Sequence, residues 1–158
     1  LILIGIDPGK DGAFAKIGIG EPVCMTMPED IYEVNEFISK SKDENLDQIH
    51  VFIEKAQAYP KQGVSSSFNY GAGYGTLCGI LIANKIAFTA VPANRWARRM
   101  HIGASKSTSK EKSLEVVRKI FPNVNLLATK RSRKPHEGII DALLIAEYGR
   151  RLLNGEQV

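Results

Sequence analysis

At 158 residues the chain is long enough for one domain with a substantial core, and its 44% hydrophobic and 24% charged residues are the composition of an ordinary soluble globular protein. No apolar run is long enough to span a bilayer, and Cys24 and Cys78 fit no metal-ligand spacing, so no membrane segment and no zinc site are expected and the cysteines read as plain thiols of a reducing compartment. The net charge is +4, and from Arg95 onward Lys and Arg outnumber Asp and Glu by fourteen to six, a balance that suits a polyanion such as nucleic acid, or simply a solvated surface.

The first residues, Leu1-Ile2-Leu3-Ile4-Gly5-Ile6, are too few for a helix and too apolar for a surface strand. They read as a strand buried on both faces, stopped by Asp7-Pro8-Gly9, where Pro8 lacks a ladder amide and Gly9 offers the positive φ of a tight turn. Ala13 to Ile19 and Val23 to Met27 are expected as two more strands, completing an antiparallel meander. Pro28-Glu29-Asp30 signals a helix start, with Ile31, Val34, Phe37 and Ile38 on one face through about Lys40. A polar loop over Ser41 to Gln48 precedes a fourth strand, Ile49 to Glu54, which again ends in a carboxylate.

After the loop Tyr59-Pro60-Lys61-Gln62-Gly63, the stretch Val64 to Asn84 is helical in pattern but carries glycines at 71, 73, 75 and 79. Each costs a helix roughly 0.5–1 kcal/mol relative to alanine, so the crowding calls for close approach of another backbone, protein or nucleic acid. Ile86 to Val91 is a fifth strand ended by Pro92, and Asn94 to Met100 a short basic helix. A Gly/Ser/Thr loop runs from Ile102 to Ser109, and Lys110 to Phe121 is a helix ended by Pro122. Lys130 to Pro135 is a basic loop before the last helix, Glu137 to Leu153, which turns Ile140, Leu143, Leu144, Tyr148 and Leu152 inward. A meander followed by alternating strands and helices predicts an α/β domain spanning residues 1–158, with a five-stranded mixed sheet and helices on both faces.

Acidic residues thus close the first strand (Asp7) and the fourth (Glu54), while Glu137 and Asp141 stand one helical turn apart. Like charges at that spacing destabilise a bare helix, which points to a cation between them. Oxygen ligands of this kind suit Mg²⁺ or Mn²⁺, and two such ions about 4 Å apart are a general device for phosphodiester hydrolysis. Each carboxylate also has a plain reading: Asp7 as a turn residue bonded to its own backbone, Glu54 as a surface strand end, Glu137 as a helix-dipole partner, Asp141 as an exposed polar residue.

Ile6-Asp7-Pro8-Gly9, Ile53-Glu54 and Asp141-Ala142-Leu143-Leu144-Ile145-Ala146 resemble the signature blocks of RuvC-type Holliday junction resolvases of the ribonuclease H-like superfamily. Pro60 to Gly63, Phe68 to Gly75, Val91-Pro92 with Trp96, and His136-Glu137-Gly138 are similar to the bacteriophage RuvC-like and plastid resolvase branch. The resemblance implies a ribonuclease H-like fold, Asp7, Glu54, Glu137 and Asp141 as ligands of two Mg²⁺ ions (Mn²⁺ substituting), and no small-molecule cofactor. It also implies a homodimer that nicks two opposed strands of a four-way DNA junction symmetrically. The bacterial enzymes place the extra carboxylate three residues before the last Asp, where this chain has Gly138, so Glu137 has to serve instead. His136 is a candidate for proton transfer to the leaving 3′ oxygen, or a plain histidine. Tyr59 is a candidate for stacking on an unpaired base or a packed loop tyrosine, and Lys61, Lys106, Lys110 and Lys112 are phosphate contacts or solvated charges. Phe68, Tyr70 and Tyr74, interleaved with glycines, are read as lining the core or the dimer interface, with packing favoured. The expected location is the cytoplasm of a bacterial or phage-infected cell, with an organellar origin left open because the sequence begins at Leu1 rather than Met. Two other readings compete: a ribonuclease H-like nuclease acting on RNA–DNA hybrids or other branched DNA, and a catalytically silent nucleic-acid-binding homologue.

Overall fold

A computed structural model describes residues 1–43, 49–57 and 63–156. Tyr59 and Lys61 lie outside the described residues. Five strands, β1 (Ile2–Asp7), β2 (Ala13–Ile17), β3 (Val23–Thr26), β4 (Ile49–Glu54) and β5 (Ala87–Val91), form one sheet in the order β3-β2-β1-β4-β5. The meander β1–β3 is antiparallel, whereas β1 with β4 and β4 with β5 are parallel. This is the mixed sheet expected from the order of elements, and its most apolar strand is its central one.

Five helices cover the sheet: α1 (Ile31–Asp43), α2 (Val64–Ala83), α3 (Ala93–Met100), α4 (Ser109–Ile120) and α5 (Glu137–Leu153). Successive strand residues face opposite sides, so β1 feeds two cores. Ile2, Ile4 and Ile6 join Val51, Ile53, Val34, Ile38, Leu77 and Leu81 under α1 and α2. Leu3 and Phe52 face the other way, into the larger core built with Trp96, Val117 and the apolar side of α5. The α5 axis crosses β1 so closely that a Cβ on Gly5 would collide with the Ala142 carbonyl.

Several local expectations need correction. Gly9 keeps a negative φ; the turn is closed instead by the Gly12 amide donating to the Gly9 carbonyl at 2.9 Å. Helix α1 continues through Ser41 to Asp43 rather than stopping near Lys40; the Ser41 hydroxyl, buried, donates back to the Phe37 carbonyl at 2.8 Å, so a polar residue read as loop is satisfied within the helix. Helix α4 starts one residue early because Thr108 and Glu111 form a reciprocal capping box, a signal present in the sequence as Thr-Ser-Lys-Glu. No described part of the chain approaches the glycines of α2, where a Cβ at Gly71, Gly73, Gly75 or Gly79 would meet open space, so a backbone lying against them has to come from another molecule. Of the aromatics read as lining the core or a dimer interface, Tyr74 packs against the core, whereas Phe68 is 73% exposed. Glu147 is buried on α5, where Arg150 donates to it twice at 2.7 Å and Arg151 at 2.9 Å. Two of the basic residues counted from the sequence are therefore neutralised within the fold.

Candidate active site

Strand alternation decides where the first two carboxylates go. Ile6 and Ile53 are register partners pointing toward α1 and α2, so Asp7 and Glu54, each one residue on, point together to the α5 side. Both stand at the carboxyl ends of adjacent parallel strands. Asp141 comes to the same end from α5, next to Ala142, which lies over Gly5.

The electrostatics confirm the convergence. Asp141 is pushed up to about 7, first by burial and then by the charges of Asp7, Glu54 and, last, Glu137. Burial likewise raises Asp7, and Glu54 is raised by burial with a further contribution from Asp7. Opposing these shifts, the Gly9 amide donates weakly to Asp7 Oδ1 at 3.5 Å, so Asp7 also plays the self-bonding turn role. Trp96 Nε1 donates to Glu54 Oε2 at 2.8 Å. Ser113 donates to the Asp141 carboxylate and also meets His101 Nε2 at 2.9 Å.

Glu137 stands apart from this group. Its side chain is 61% exposed and ion-paired with Lys110 at 2.8 Å. His136 is the N-cap of α5: its Nδ1 accepts from the Ile139 amide at 3.3 Å. An imidazole whose Nδ1 accepts in this way carries its proton on Nε2, and the ring stands within electrostatic reach of Asp7. Of the lysines, Lys110 is occupied by Glu137, while Lys106 and Lys112 lie at the amino end of α4 and its approach; the His101 imidazole is lowered first by burial and then by the charge of Lys112.

Among the described residues no three Asp, Glu, His or Cys side chains stand as a ready-made metal cage, since Glu54 is turned to Trp96 and Glu137 to Lys110. The donor set nevertheless fits a hard divalent cation. It is all carboxylate oxygen and largely withdrawn from water, and burial, with the neighbouring charges added to it, raises all three carboxyls above their ordinary values. A small cavity of about 270 Å³ between Trp96, Lys110, Ser113, Glu137 and Asp141 opens onto it. A larger depression of about 910 Å³ begins at Pro8-Gly9-Lys10 and runs between α1 and α2 past Ser66, Asn69 and Tyr70.

Gly138 explains why a fourth carboxylate cannot sit three residues before Asp141. A Cβ there would collide with the Asp11 carbonyl and with the Gly12 backbone, so the amino end of α5 rests directly on the turn after β1. Sequence reasoning missed Ser113 and His101 and gave Trp96 no role. The signal for Trp96 was present: an indole on an otherwise basic helix needs a buried acceptor for its N–H.

No family model and no curated protein matches the chain by sequence. Solved structures do. RuvC of Thermus thermophilus in complex with a Holliday junction substrate aligns over 99% of this chain and 98% of its own, with a TM-score of 0.65 and 16% identity. A second structure of the same organism's RuvC gives 0.61 at 17% identity, with the same coverage. The chain has the RuvC fold. Within that fold, Asp7 and Glu54 at the parallel strand ends and Asp141 on the helix crossing them stand at one end of the sheet.

Proposed function

We propose that this protein is a structure-selective, metal-dependent endonuclease that resolves four-way DNA junctions by paired, symmetric nicks. The observation that carries the reading is the convergence of Asp7, Glu54 and Asp141, from three separate elements of a RuvC fold, at one buried end of the sheet, where burial first and the neighbouring carboxylates second push Asp141 up to about 7. In this reading Asp7, Glu54 and Asp141, with Glu137 at the rim, would hold two Mg²⁺ ions. When bound, the ions supply water activation and stabilisation of the leaving oxygen. Trp96 fixes one oxygen of Glu54 and Ser113 orients Asp141, so each keeps a defined face toward the substrate. His136 presents its Nε2–H beside Asp7, where it can donate a hydrogen bond to a leaving 3′ oxygen; full transfer of a proton requires the imidazolium form.

A homodimer belongs to the same reading. Val64, Phe68, Gly71, Gly75, Gly79 and Ile82 recur at helical spacing on α2, and Val64, Phe68 and Ile82 are 86%, 73% and 65% exposed. A second copy packed on this stripe would bury the aromatic and aliphatic side chains and use the glycines for close approach, the role their crowding calls for.

The test is incubation with Mg²⁺ of a synthetic four-way junction, a linear duplex and an RNA–DNA hybrid, alongside Asp7→Asn. Cutting confined to the junction, abolished in Asp7→Asn while junction binding in EDTA persists, is the expected result. Preferential cutting of the hybrid would transfer the protein to the other ribonuclease H-like activities. Binding without cutting under any divalent cation would make it a silent homologue.

A further inference from the structure

We propose that the outer face of α3 is a phosphate-binding track that grips the sugar–phosphate backbone of one DNA arm; it rests on the nuclease reading above for the identity of the polynucleotide. Helix α3 is two-sided. Trp96 and Met100 are buried in the core, while Asn94, Arg95, Arg98 and Arg99, followed by Ile102, line a groove of about 440 Å³ on the opposite side. Arg99 Nε is buried there with no hydrogen-bond partner among the described residues. A buried guanidinium N–H lacking an acceptor is costly to the folded chain, and an anion in the groove removes that cost once the Arg99 side chain turns toward it.

The contrast with other arginines sharpens the point. Arg150 and Arg151 are neutralised by Glu147 and Glu156, and Arg118 donates to the Val124 carbonyl. Among the described residues no carboxylate or carbonyl serves the guanidinium of Arg95, Arg98 or Arg99. Three uncompensated guanidinium groups around one groove are a site for an anion, and their planar forks match phosphate. From Arg95 to Arg99 the helix rises about 6 Å, against roughly 3.4 Å of axial rise per phosphate along one strand, so the track spans about two phosphates. A polynucleotide backbone offers such a row. The inner face of the same helix holds Glu54 through Trp96, so a backbone seated on α3 is held at a fixed distance from the carboxylates.

The experiment measures DNA binding without cutting: fluorescence anisotropy of a labelled four-way junction and a linear duplex, in EDTA, over a range of salt. Wild type is compared with Arg95→Gln/Arg98→Gln, with Arg99→Gln, and with Lys40→Gln/Lys42→Gln, which removes the same charge from α1 on the opposite side of the sheet. The slope of log affinity against log salt should become shallower by about 2 in the Arg95/Arg98 variant and by about 1 in Arg99→Gln, with the α1 control unchanged. Arg95 and Arg98 are exposed, so their variant keeps the test valid even if Arg99→Gln fails to fold. An unchanged slope in the Arg95/Arg98 variant, or an equal change in the α1 control, overturns the proposal. Cleavage by wild type in Mg²⁺ is read separately. An unchanged slope with junction cutting removes the track and keeps the nuclease; a shallower slope with no cutting keeps the track and removes the nuclease.

Discussion

Burial, and after it the charges of Asp7, Glu54 and Glu137, push the Asp141 carboxyl up to about 7 from an ordinary 3.8. A folded-state value above the unfolded one means that the native protein binds the proton more tightly. Between about pH 4 and pH 7 the unfolded chain releases this proton and the native one keeps it, so metal-free stability falls as pH rises through that window and levels off above it. Asp7 and Glu54 are shifted the same way and add to the effect. Thermal melts in EDTA should therefore give a lower midpoint at pH 8 than at pH 5, and Mg²⁺ should restore stability at pH 8 far more than at pH 5. Asp141→Asn should flatten the dependence; a wild-type midpoint independent of pH would mean that the carboxylates do not converge. Glu137 invites a different measurement, because it is paired with Lys110 at the rim rather than held in the cluster. If it completes the metal site, Glu137→Gln should raise the Mg²⁺ concentration for half-maximal cutting, since a neutral amide is a poorer ligand for a hard cation. The cost to the helix start is only about 0.3–1 kcal/mol. An unshifted Mg²⁺ titration with a slightly lower melting temperature would leave a three-carboxylate site.

At the scale of elements, α5 does most of the positioning. It crosses β1 at Gly5 and rests on the turn after β1 at Gly138, and these two close approaches set how far Asp141 stands from Asp7. Gly138→Ala should lower stability by about 1–3 kcal/mol, the usual cost of overpacking, because the neighbours in its way are backbone atoms that cannot rotate aside. Cutting should fall with it, as the amino end of α5 is levered off the turn. Urea unfolding and a Mg²⁺ assay on the same preparation check both, and a change below about 0.5 kcal/mol would show that the turn yields. Helix α2 shows the opposite case: its glycines are unhindered, and its apolar stripe meets no other described part of the chain.

For the whole molecule, that stripe bears on assembly. Phe68→Glu would place a charge in any interface built on α2, at a cost that should weaken self-association by on the order of 100-fold. Light scattering should then find wild type as a dimer and Phe68→Glu as a monomer of unchanged circular dichroism. Wild-type protein that stays monomeric at high concentration would remove the dimer and, with it, the symmetric second nick.

Much of the fold was legible because its signals are local. The apolar run of β1, the alternation of strands and helices, and β4 and α5 to the residue follow from hydrophobic period and punctuation. Alternation even places Asp7 and Glu54 on one face, since Ile6 and Ile53 must fill the other. The four carboxylates were singled out in the sequence as candidate metal ligands, Glu137 the weakest of them because it stands one residue away from the bacterial position. Tertiary structure separated them: Asp141 and Asp7 are withdrawn from water, Glu54 is held by an indole from α3, and Glu137 is left at the rim with a lysine. Partners such as Trp96 for Glu54, or Ser113 for Asp141, lie dozens of residues away, and no local pattern encodes which distant donor meets which acceptor. The same holds for charge. Composition counted the arginines alike, and only packing decided that those of α5 are neutralised while those of α3 face an open groove, because pairing depends on what the folded chain brings within about 4 Å.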